Sequence, residues 1–445
     1  MTLLLALALI SAVITFGMSL VVYKLSLKYR LYPKIRARDV HTTPTPRLGG
    51  IAMFLGILVA FAVAYLLSSQ FGVLSLIFSD SGPILAILGA SLLIVVIGVA
   101  DDIWDLDWMT KLAGQFVAAG LVAWLGVQIY SLPIGGLTVG SPVMSIIITL
   151  FAIVLVMNAI NFIDGLDGLV AGVALIANGT FLVYTYLLQR EISPQNYFSL
   201  AGVIAAILVG ACAGFLPLNW HPAKMFMGDA GALLIGLLMA TSAISVTGTI
   251  NPEVLPTLGR SSLVPAFIPI ILPFAVLIVP LLDFGLAVIR RLRAGKSPFS
   301  ADRKHLHHRL LDMGHTHLHA VLIFYAWTAV LSIGCLLFFF DPYWMAIVFV
   351  AVGLVICTAF TLAPLSRRKA NEAAAELAPV GTHEADATAH LDQLDIASES
   401  EAEIEADTLE TTPPSGAPRS GTPHSGAPGG TTPPGSTPPS IKETP

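Results

Sequence analysis

Apolar residues dominate the first 370 positions of this chain, in long runs that short polar segments separate. A run of about 20 apolar residues can cross the ~30 Å hydrocarbon core of a bilayer as a helix. The pattern predicts an all-α polytopic integral membrane protein with about 11 transmembrane helices. The predicted spans are 3–23, 49–68, 84–100, 112–130, 142–160, 168–188, 198–216, 231–248, 263–289, 319–340 and 343–363.

Composition supports this interpretation. Apolar residues make up 55% of the chain, charged residues 11%, and the mean hydropathy is +0.80. Such a balance excludes a string of soluble domains, although 445 residues would suffice for several. The three cysteines lie in apolar runs without a paired spacing, so neither a disulfide framework nor a zinc site is indicated.

Basic residues indicate the orientation. Alternating the eleven spans across the bilayer places 19 of the 21 Lys/Arg before residue 370 on one side. By the positive-inside rule that side is cytoplasmic, so the N-terminus is expected outside and the C-terminus in the cytoplasm. The expected location is the cell (inner or plasma) membrane, with multiple passes.

The end of the chain has a different composition. Residues 370–445 carry 13 Asp/Glu against two basic residues and pass into a Pro/Gly/Ser/Thr-rich stretch without apolar periodicity. Such a segment cannot bury enough apolar surface to offset its ordering entropy. We therefore expect a transmembrane domain at 1–368 and a disordered cytoplasmic tail at 369–445.

Five polar segments interrupt the membrane-spanning part, all at predicted cytoplasmic helix ends. Carboxylates, amides, histidines and glycines gathered beside a bilayer are typical of a site that handles metal and phosphate, and favour a membrane enzyme. The segments are DVHTTPTPRLGG (39–50), ADDIWDLDWMTKLAGQ (100–115), NAINFIDGLDGLVAG (158–172), KMFMGDAG (224–231) and SPFSADRKHLHHRL (297–310).

The second segment carries an acidic pair, Asp101 and Asp102, at the end of the third span. Two carboxylates at a membrane boundary are costly unless a cation or water compensates them, and hard cations such as Mg²⁺ prefer oxygen ligands. Lys111 begins the next span, where an anionic ligand could reach it. Asp105 and Asp107 fit a ligand set and a solvated helix end equally well.

The third segment places Asn158, Asn161, Asp164 and Asp167 at intervals of three, so that on a helix they share one face. Four oxygen-bearing side chains at one helix end are unusual as packing and indicate a binding face.

The remaining segments add an acid, an aromatic ring and cations. Asp229 fits either a metal ligand or a helix N-cap, and Phe226 fits either a stacking surface for a flat base or a core residue. Backbone amides near Gly-Gly in the first segment suit an anion, which His41, Thr45 and Arg47 would line.

The fifth segment combines His305, His307 and His308 with Arg303. Its HxHH spacing differs from the HExxH zinc helix, in which two histidines one turn apart flank a catalytic Glu. Imidazoles mixed with cations suit a diphosphate better than a metal.

Taken together, the motifs PTPRLGG, VADDIWDL, NFIDGLDGL, FMGDAG and DRKHLHHRL resemble those of the polyprenyl-phosphate N-acetylhexosamine-1-phosphate transferases. The resemblance runs from about residue 30 to 315 in matching order. Leu306 within the histidine motif, and Arg47 after PTP, are similar to the UDP-GlcNAc-using branch. The branch that uses UDP-MurNAc-pentapeptide has three successive histidines.

The resemblance implies roles for particular residues. Catalytic roles are expected for Asp101, Asp102, Asp164, His307 and His308. Substrate binding is expected of His41, Thr45, Arg47, Lys111, Asn158, Asp167, Phe226, Arg303 and His305. The metal, Mg²⁺ with Mn²⁺ as a substitute, is expected on Asp229 with Asn161 or Asp164.

The implied activity is transfer of N-acetylglucosamine 1-phosphate from UDP-GlcNAc to a polyprenyl phosphate, with release of UMP. The product, polyprenyl-diphospho-GlcNAc, would begin a cell-envelope polysaccharide. Expected partners are the two substrates and the bilayer, a homodimer by family analogy alone, and no nucleic acid. The alternatives are a UDP-MurNAc-pentapeptide transferase, a polytopic transporter and a lipid-binding scaffold. A CDP-alcohol phosphotransferase is disfavoured because its DGxxAR signature is absent.

Overall fold

The fold is taken from a computed structural model of the 445-residue chain. It describes residues 1–31, 45–129, 141–192, 198–247, 285, 289–293, 295, 310–340 and 342–377.

Eleven helices are described along their length, and the described residues contain no strand. The helices are α1 (Thr2–Tyr29), α2 (Gly49–Leu67), α3 (Gly72–Phe78), α4 (Ser81–Trp104), α5 (Trp108–Trp124), α6 (Pro142–Ile163), α7 (Leu169–Ile192), α8 (Leu200–Asn219), α9 (Gly228–Thr247), α10 (His317–Leu337) and α11 (Trp344–Leu377).

Nine of these helices are long and apolar enough to cross a membrane, which confirms the predicted all-α polytopic class. The predicted span at 112–130 corresponds to α5, whose 17 residues make it shorter than the other nine. The predicted span at 263–289 lies almost entirely outside the described residues. The seven-residue helix α3 lies between the second and third predicted spans and was not predicted.

Helix α9 lies at the centre of the bundle, packed against α2, α4, α6 and α8. Nearly all residues of its most apolar stretch are buried. Small residues allow this close packing. A Cβ on Gly236 of α9 would lie 2.6 Å from Cα of Met157 in α6, and one on Gly98 of α4 would lie 2.9 Å from Cβ of Ala230. Gly and Ala at helix contacts let backbones approach closely inside a membrane. The packing therefore places the N-terminus of α9 among the ends of its neighbours.

Helix α10 packs on α7, where a Cβ on Gly172 would overlap the ring of Tyr325. The chain divides into two units, Met1–Ala370 and Asn371–Pro445. Of the second unit, only the end of α11 is described. Residues 369–377, which the prediction includes in the disordered tail, form the helical end of α11, and the rest of the predicted tail lies outside the described residues.

Candidate active site

Two of the predicted polar segments are joined by backbone hydrogen bonds. The N–H of Phe226 donates to the carbonyl of Pro46 over 2.8 Å, and Gly49 and Gly50 donate to the carbonyls of Phe226 and Met227 over 3.0 and 2.9 Å. This pairing holds the start of α2 beside the start of α9, and so brings Arg47 to the place where Asp229 begins its helix.

Gly228 makes the close approach of a third segment possible. Its φ of +67° lies in the left-handed region, where residues with a Cβ are strained. A Cβ there would overlap both the carbonyl oxygen of Arg47 and Oδ2 of Asp102, and would lie 2.9 Å from Cγ of Asp102. The end of α4 can therefore meet the start of α9 only because residue 228 is glycine.

The result is a cluster of oppositely charged groups from four helices. Nζ of Lys111, near the start of α5, lies 3.3 Å from Oδ2 of Asp101 and also forms an ion pair with Asp229. Nδ2 of Asn161 donates to Oδ1 of Asp229 over 3.1 Å. The backbone N–H of Asp229 donates to Oδ1 of Asp102 over 3.4 Å. Five of the predicted site residues thus lie together, although they are up to 128 positions apart in the chain.

Asp164 lies just beyond the end of α6, at the edge of this cluster. Burial, above all, and the nearby negative charge of Asp102 raise the pKa of Asp164 from its ordinary value of 3.8 to about 7. The charges of Arg47 and Asp167 act in opposite senses, the first lowering this pKa and the second raising it further. A carboxyl group in such surroundings is one that an added cation would ionise.

The oxygen atoms of the cluster suit a hard cation. Oδ2 of Asp102 is buried and finds no hydrogen-bond partner among the residues that the structure describes, which is costly unless a ligand or ion meets it. Asp229, Asn161 and Asp164 provide further oxygen donors nearby. Among the described residues no group of three His, Cys, Asp or Glu is arranged to hold a metal ion. Mg²⁺ commonly binds through one or two carboxylates, with waters and substrate phosphates completing its shell, so the residues present fit it.

Two acidic residues beside the cluster, Asp105 and Asp107, are helix caps. Asp107 is the N-cap of α5 and accepts hydrogen bonds from the N–H groups of Met109 and Thr110, both over 3.0 Å. The hydrogen bonds from Thr110 lower the pKa of Asp107. Asp105 is the C-cap that follows α4, with a φ of 56°. For Asp107 the structure thus supports the reading of a solvated helix end.

The side-chain amide of Asn158 forms hydrogen bonds to residues of α5 and α6. Its Nδ2 donates to Oε1 of the buried Gln115 in α5 and to the carbonyl of Val154 over 2.8 Å. The amide therefore links α6 to α5, and its expected contact with a substrate stays a prediction.

Asp167 is buried, and its carboxylate is turned towards the segment between α8 and α9. Oδ2 accepts a hydrogen bond from the N–H of Ala223 over 3.0 Å and lies 2.8 Å from Nδ1 of His221. The next residue, Gly168, donates its N–H to Oδ1 of Asn219 over 3.1 Å and accepts from the hydroxyl of Tyr325.

Three residues that were not predicted from the sequence form hydrogen bonds with this polar segment: His221, Tyr325 and Gln115. A histidine before a proline, a tyrosine within an apolar helix and a glutamine in a span carry no spacing that marks them. The only signal was proximity in sequence, since His221 lies eight positions before Asp229.

The remaining predicted residues divide into two groups. Thr45 is buried and Phe226 is partly buried, and both have contacts within the fold. Their expected roles stay predictions. The others lie outside the described residues: His41, Arg303, His305, His307 and His308.

Comparison with known proteins adds independent information. Residues 84–247 match the family model described as glycosyl transferase family 4. The chain is 42% identical over 363 residues to the decaprenyl-phosphate N-acetylglucosaminephosphotransferase of Mycolicibacterium smegmatis, which covers 80% of this chain and 87% of the relative. It is 43% identical over 344 residues to the protein of that name from Mycobacterium tuberculosis, covering 76% and 82%. A probable undecaprenyl-phosphate N-acetylglucosaminyl 1-phosphate transferase of Bacillus subtilis is 30% identical over 338 residues, covering 75% and 85%.

Proposed function

Since this chain belongs to the polyprenyl-phosphate N-acetylglucosamine-1-phosphate transferase family, we propose that it transfers N-acetylglucosamine 1-phosphate from UDP-GlcNAc to a polyprenyl phosphate. The products are UMP and polyprenyl-diphospho-GlcNAc, the lipid on which a cell-envelope polysaccharide is started. The observation that supports this most directly is the cluster of Asp101, Asp102, Lys111, Asn161 and Asp229 at one end of the helices.

The reaction exchanges one phosphorus–oxygen bond for another. An oxygen of the lipid phosphate attacks the phosphorus attached to the sugar, and the bond from that phosphorus to the bridging oxygen breaks. UMP leaves with the electron pair of the broken bond. A phosphomonoester has a second pKa of about 6, so the lipid phosphate is largely dianionic at neutral pH and needs no base. Catalysis then depends on positioning and charge compensation.

The residues of the cluster and the neighbouring Arg47 provide both positioning and charge compensation. The ammonium group of Lys111 and the guanidinium group of Arg47 offset the charge of the two phosphate-bearing substrates. Asp101 holds Lys111 in place through their ion pair. A Mg²⁺ ion on Asp229, with Asp102, Asn161 or Asp164, would supply charge neutralisation at the diphosphate. Asp101 and Asp102 thus organise the site electrostatically.

The orientation of the site is part of the proposal. The basic residues flanking the spans support a location of the cluster on the cytoplasmic face, where UDP-sugars are available. Cysteine labelling at Asp105→Cys, an exposed loop position beside the cluster, with an impermeant maleimide in intact cells should fail, and should succeed in inverted vesicles.

Release of UMP tests the reaction. Purified protein receives Mg²⁺, a polyprenyl phosphate and either UDP-GlcNAc or UDP-MurNAc-pentapeptide. We expect UMP from UDP-GlcNAc, and its loss with a chelator or in Asp229→Asn. Asp80→Asn is the matched control, because Asp80 caps the opposite end of α4. UMP from the pentapeptide donor alone would assign the other substrate, and none from either donor would refute the proposed reaction.

A second measurement tests the role of Asp101. If this residue acts through Lys111, Asp101→Asn should lower the rate at all pH values without removing a limb of the pH–rate profile. Loss of the limb that rises with pH, with substrate binding intact, would show that Asp101 is a general base instead.

A further inference from the structure

Asp167 and His221 form an aspartate–histidine pair at the edge of the proposed active site. Nδ1 of His221 lies 2.8 Å from Oδ2 of Asp167. The two side chains differ sharply in exposure, because that of Asp167 is 1% exposed and that of His221 is 42% exposed. The imidazole ring is therefore accessible to a ligand, whereas the carboxylate is buried.

The hydrogen bonds define which nitrogen carries the proton. Oδ2 of Asp167 already accepts a hydrogen bond from the N–H of Ala223. Oδ2 is therefore the acceptor in its contact with His221 as well, and Nδ1 of His221 is the donor. In a neutral imidazole the other nitrogen, Nε2, is then an acceptor. Within the described part of the chain, no hydrogen bond to Nε2 is found.

The ring is held in place from a second direction. The imidazole of His317, at the start of α10, lies parallel to that of His221, with 5.4 Å between ring centroids and 9° between ring planes. The ring of Trp220, which precedes His221 in the chain, contacts the ring of Tyr325, also in α10. A ring fixed by a carboxylate on one edge and by a second ring on one face loses little entropy when it binds a ligand.

The chain connects this pair to the rest of the site. The segment that carries His221 continues through Phe226 to Asp229, and is pinned by the hydrogen bond from Phe226 to Pro46. Asp167 follows Asp164 by three residues and acts on its carboxyl group electrostatically. The pair is therefore connected through the chain to Phe226 and Asp229, and electrostatically to Asp164.

We infer that His221 is a binding residue for the nucleotide part of the UDP-sugar donor, accepting a hydrogen bond at Nε2 from a uracil N–H or a ribose hydroxyl. Asp167 is a positioning residue that acts through His221. This inference rests on the proposed function. It follows from the burial of the carboxylate and the exposure of the ring.

Removal of the acceptor tests the inference. His221→Phe keeps a ring to pack on His317 but cannot accept a hydrogen bond. We expect it to raise the KM for UDP-GlcNAc and the inhibition constant of UMP by about tenfold each, with kcat changed much less. His221→Gln can donate to Asp167 and accept from the ligand, and should stay close to the wild type. Equal losses in the Phe and Gln variants, or no loss in either, would overturn the inference.

A double-mutant cycle distinguishes an action of Asp167 through His221 from independent contacts of both residues with the donor. If Asp167 acts only through His221, then Asp167→Asn combined with His221→Phe should weaken UMP inhibition no more than the stronger single variant. Multiplied effects would show that Asp167 contacts the donor itself and would refute its positioning role. Should Asp167→Asn fail to fold, the comparison of the Phe and Gln variants still decides the role of His221.

Controls separate this inference from the proposed function. His319→Phe removes another histidine of α10, one whose Nδ1 contacts the hydroxyl of Thr316, and should leave both constants unchanged. Calorimetric binding of UMP needs no turnover. If the wild type releases no UMP from UDP-GlcNAc, the proposed function fails. If the wild type is active and the His221→Phe variant binds UMP as tightly as the wild type does, only the inference fails.

Discussion

Replacement of Gly228 by alanine is expected to lower activity strongly, because the added Cβ displaces two neighbouring groups of the proposed site. The φ of +67° would cost an alanine about 1–2 kcal/mol of folding free energy. The new Cβ would also overlap the carbonyl oxygen of Arg47 and Oδ2 of Asp102. Relief of such overpacking typically costs a further ~1–3 kcal/mol, because the neighbouring groups must move.

Those two neighbours belong to the proposed site, so the displacement reaches the chemistry. A misplacement of about 1 Å in a catalytic arrangement can lower the rate about 10²-fold. We therefore expect Gly228→Ala to lose at least about 10²-fold in the rate of UMP release, together with a lower thermal midpoint in detergent.

The matched control is Gly295→Ala. Gly295 has a φ of +68°, almost the same as that of Gly228, but a Cβ there would meet no atom of the described residues within 4 Å. Both variants therefore incur the same backbone strain, and only Gly228→Ala disturbs Arg47 and Asp102. Equal rates of UMP release in the two variants would refute the reasoning, because strain without displacement would then account for the whole effect.

Three further predictions concern the groups around the cluster. Lys111→Met should lower the rate of UMP release about 10²-fold and Lys111→Arg should lower it less, because the positive charge is retained; a Met variant that keeps its rate would exclude this role. The folded pKa of Asp164, about 7, exceeds its unfolded value of 3.8, so wild-type stability falls as pH rises between them. Without divalent cations, Asp164→Asn should gain thermal stability relative to the wild type from about pH 4 to about pH 7 and level off above; a flat difference would contradict the raised pKa. Tyr325→Phe removes the hydrogen bond to the carbonyl of Gly168 and should lower the unfolding free energy by about 1 kcal/mol, measurable as a lower thermal midpoint.

Much of the fold could be predicted because membrane insertion is governed by local hydrophobicity. A segment of about 20 apolar residues spans the bilayer whatever its neighbours are. The nine long helices accordingly begin within three residues of the predicted starts, and all but α1 and α11 end within four residues of the predicted ends. Helix α1 continues six residues and α11 fourteen residues beyond the predicted end. The prediction was less successful for α5, where the apolar run continues past Trp124 but the helix ends there. A run of apolar residues does not itself show where a helix stops.

The residues of the cluster were also predictable as a set. Asp101, Asp102, Lys111, Asn161 and Asp229 are polar groups beside apolar spans, where each is costly without a partner. That cost made them visible in the sequence, and their resemblance to known motifs assigned them a chemistry. What could not be predicted was their pairing, because the four acids of its own segment and more distant ones were all available to Lys111.

Tertiary structure decided those pairings through the packing of backbones. Gly228 admits Asp102 to the start of α9, and the hydrogen bond from Phe226 to Pro46 brings Arg47 to the same place. The same packing turned the carboxylate of Asp167 away from solvent and onto His221. The sequence by itself thus determined the membrane spans and the polar residues at their ends, because both depend on local composition. The partner of each polar side chain depends on which helix ends meet, and only the folded bundle determines that.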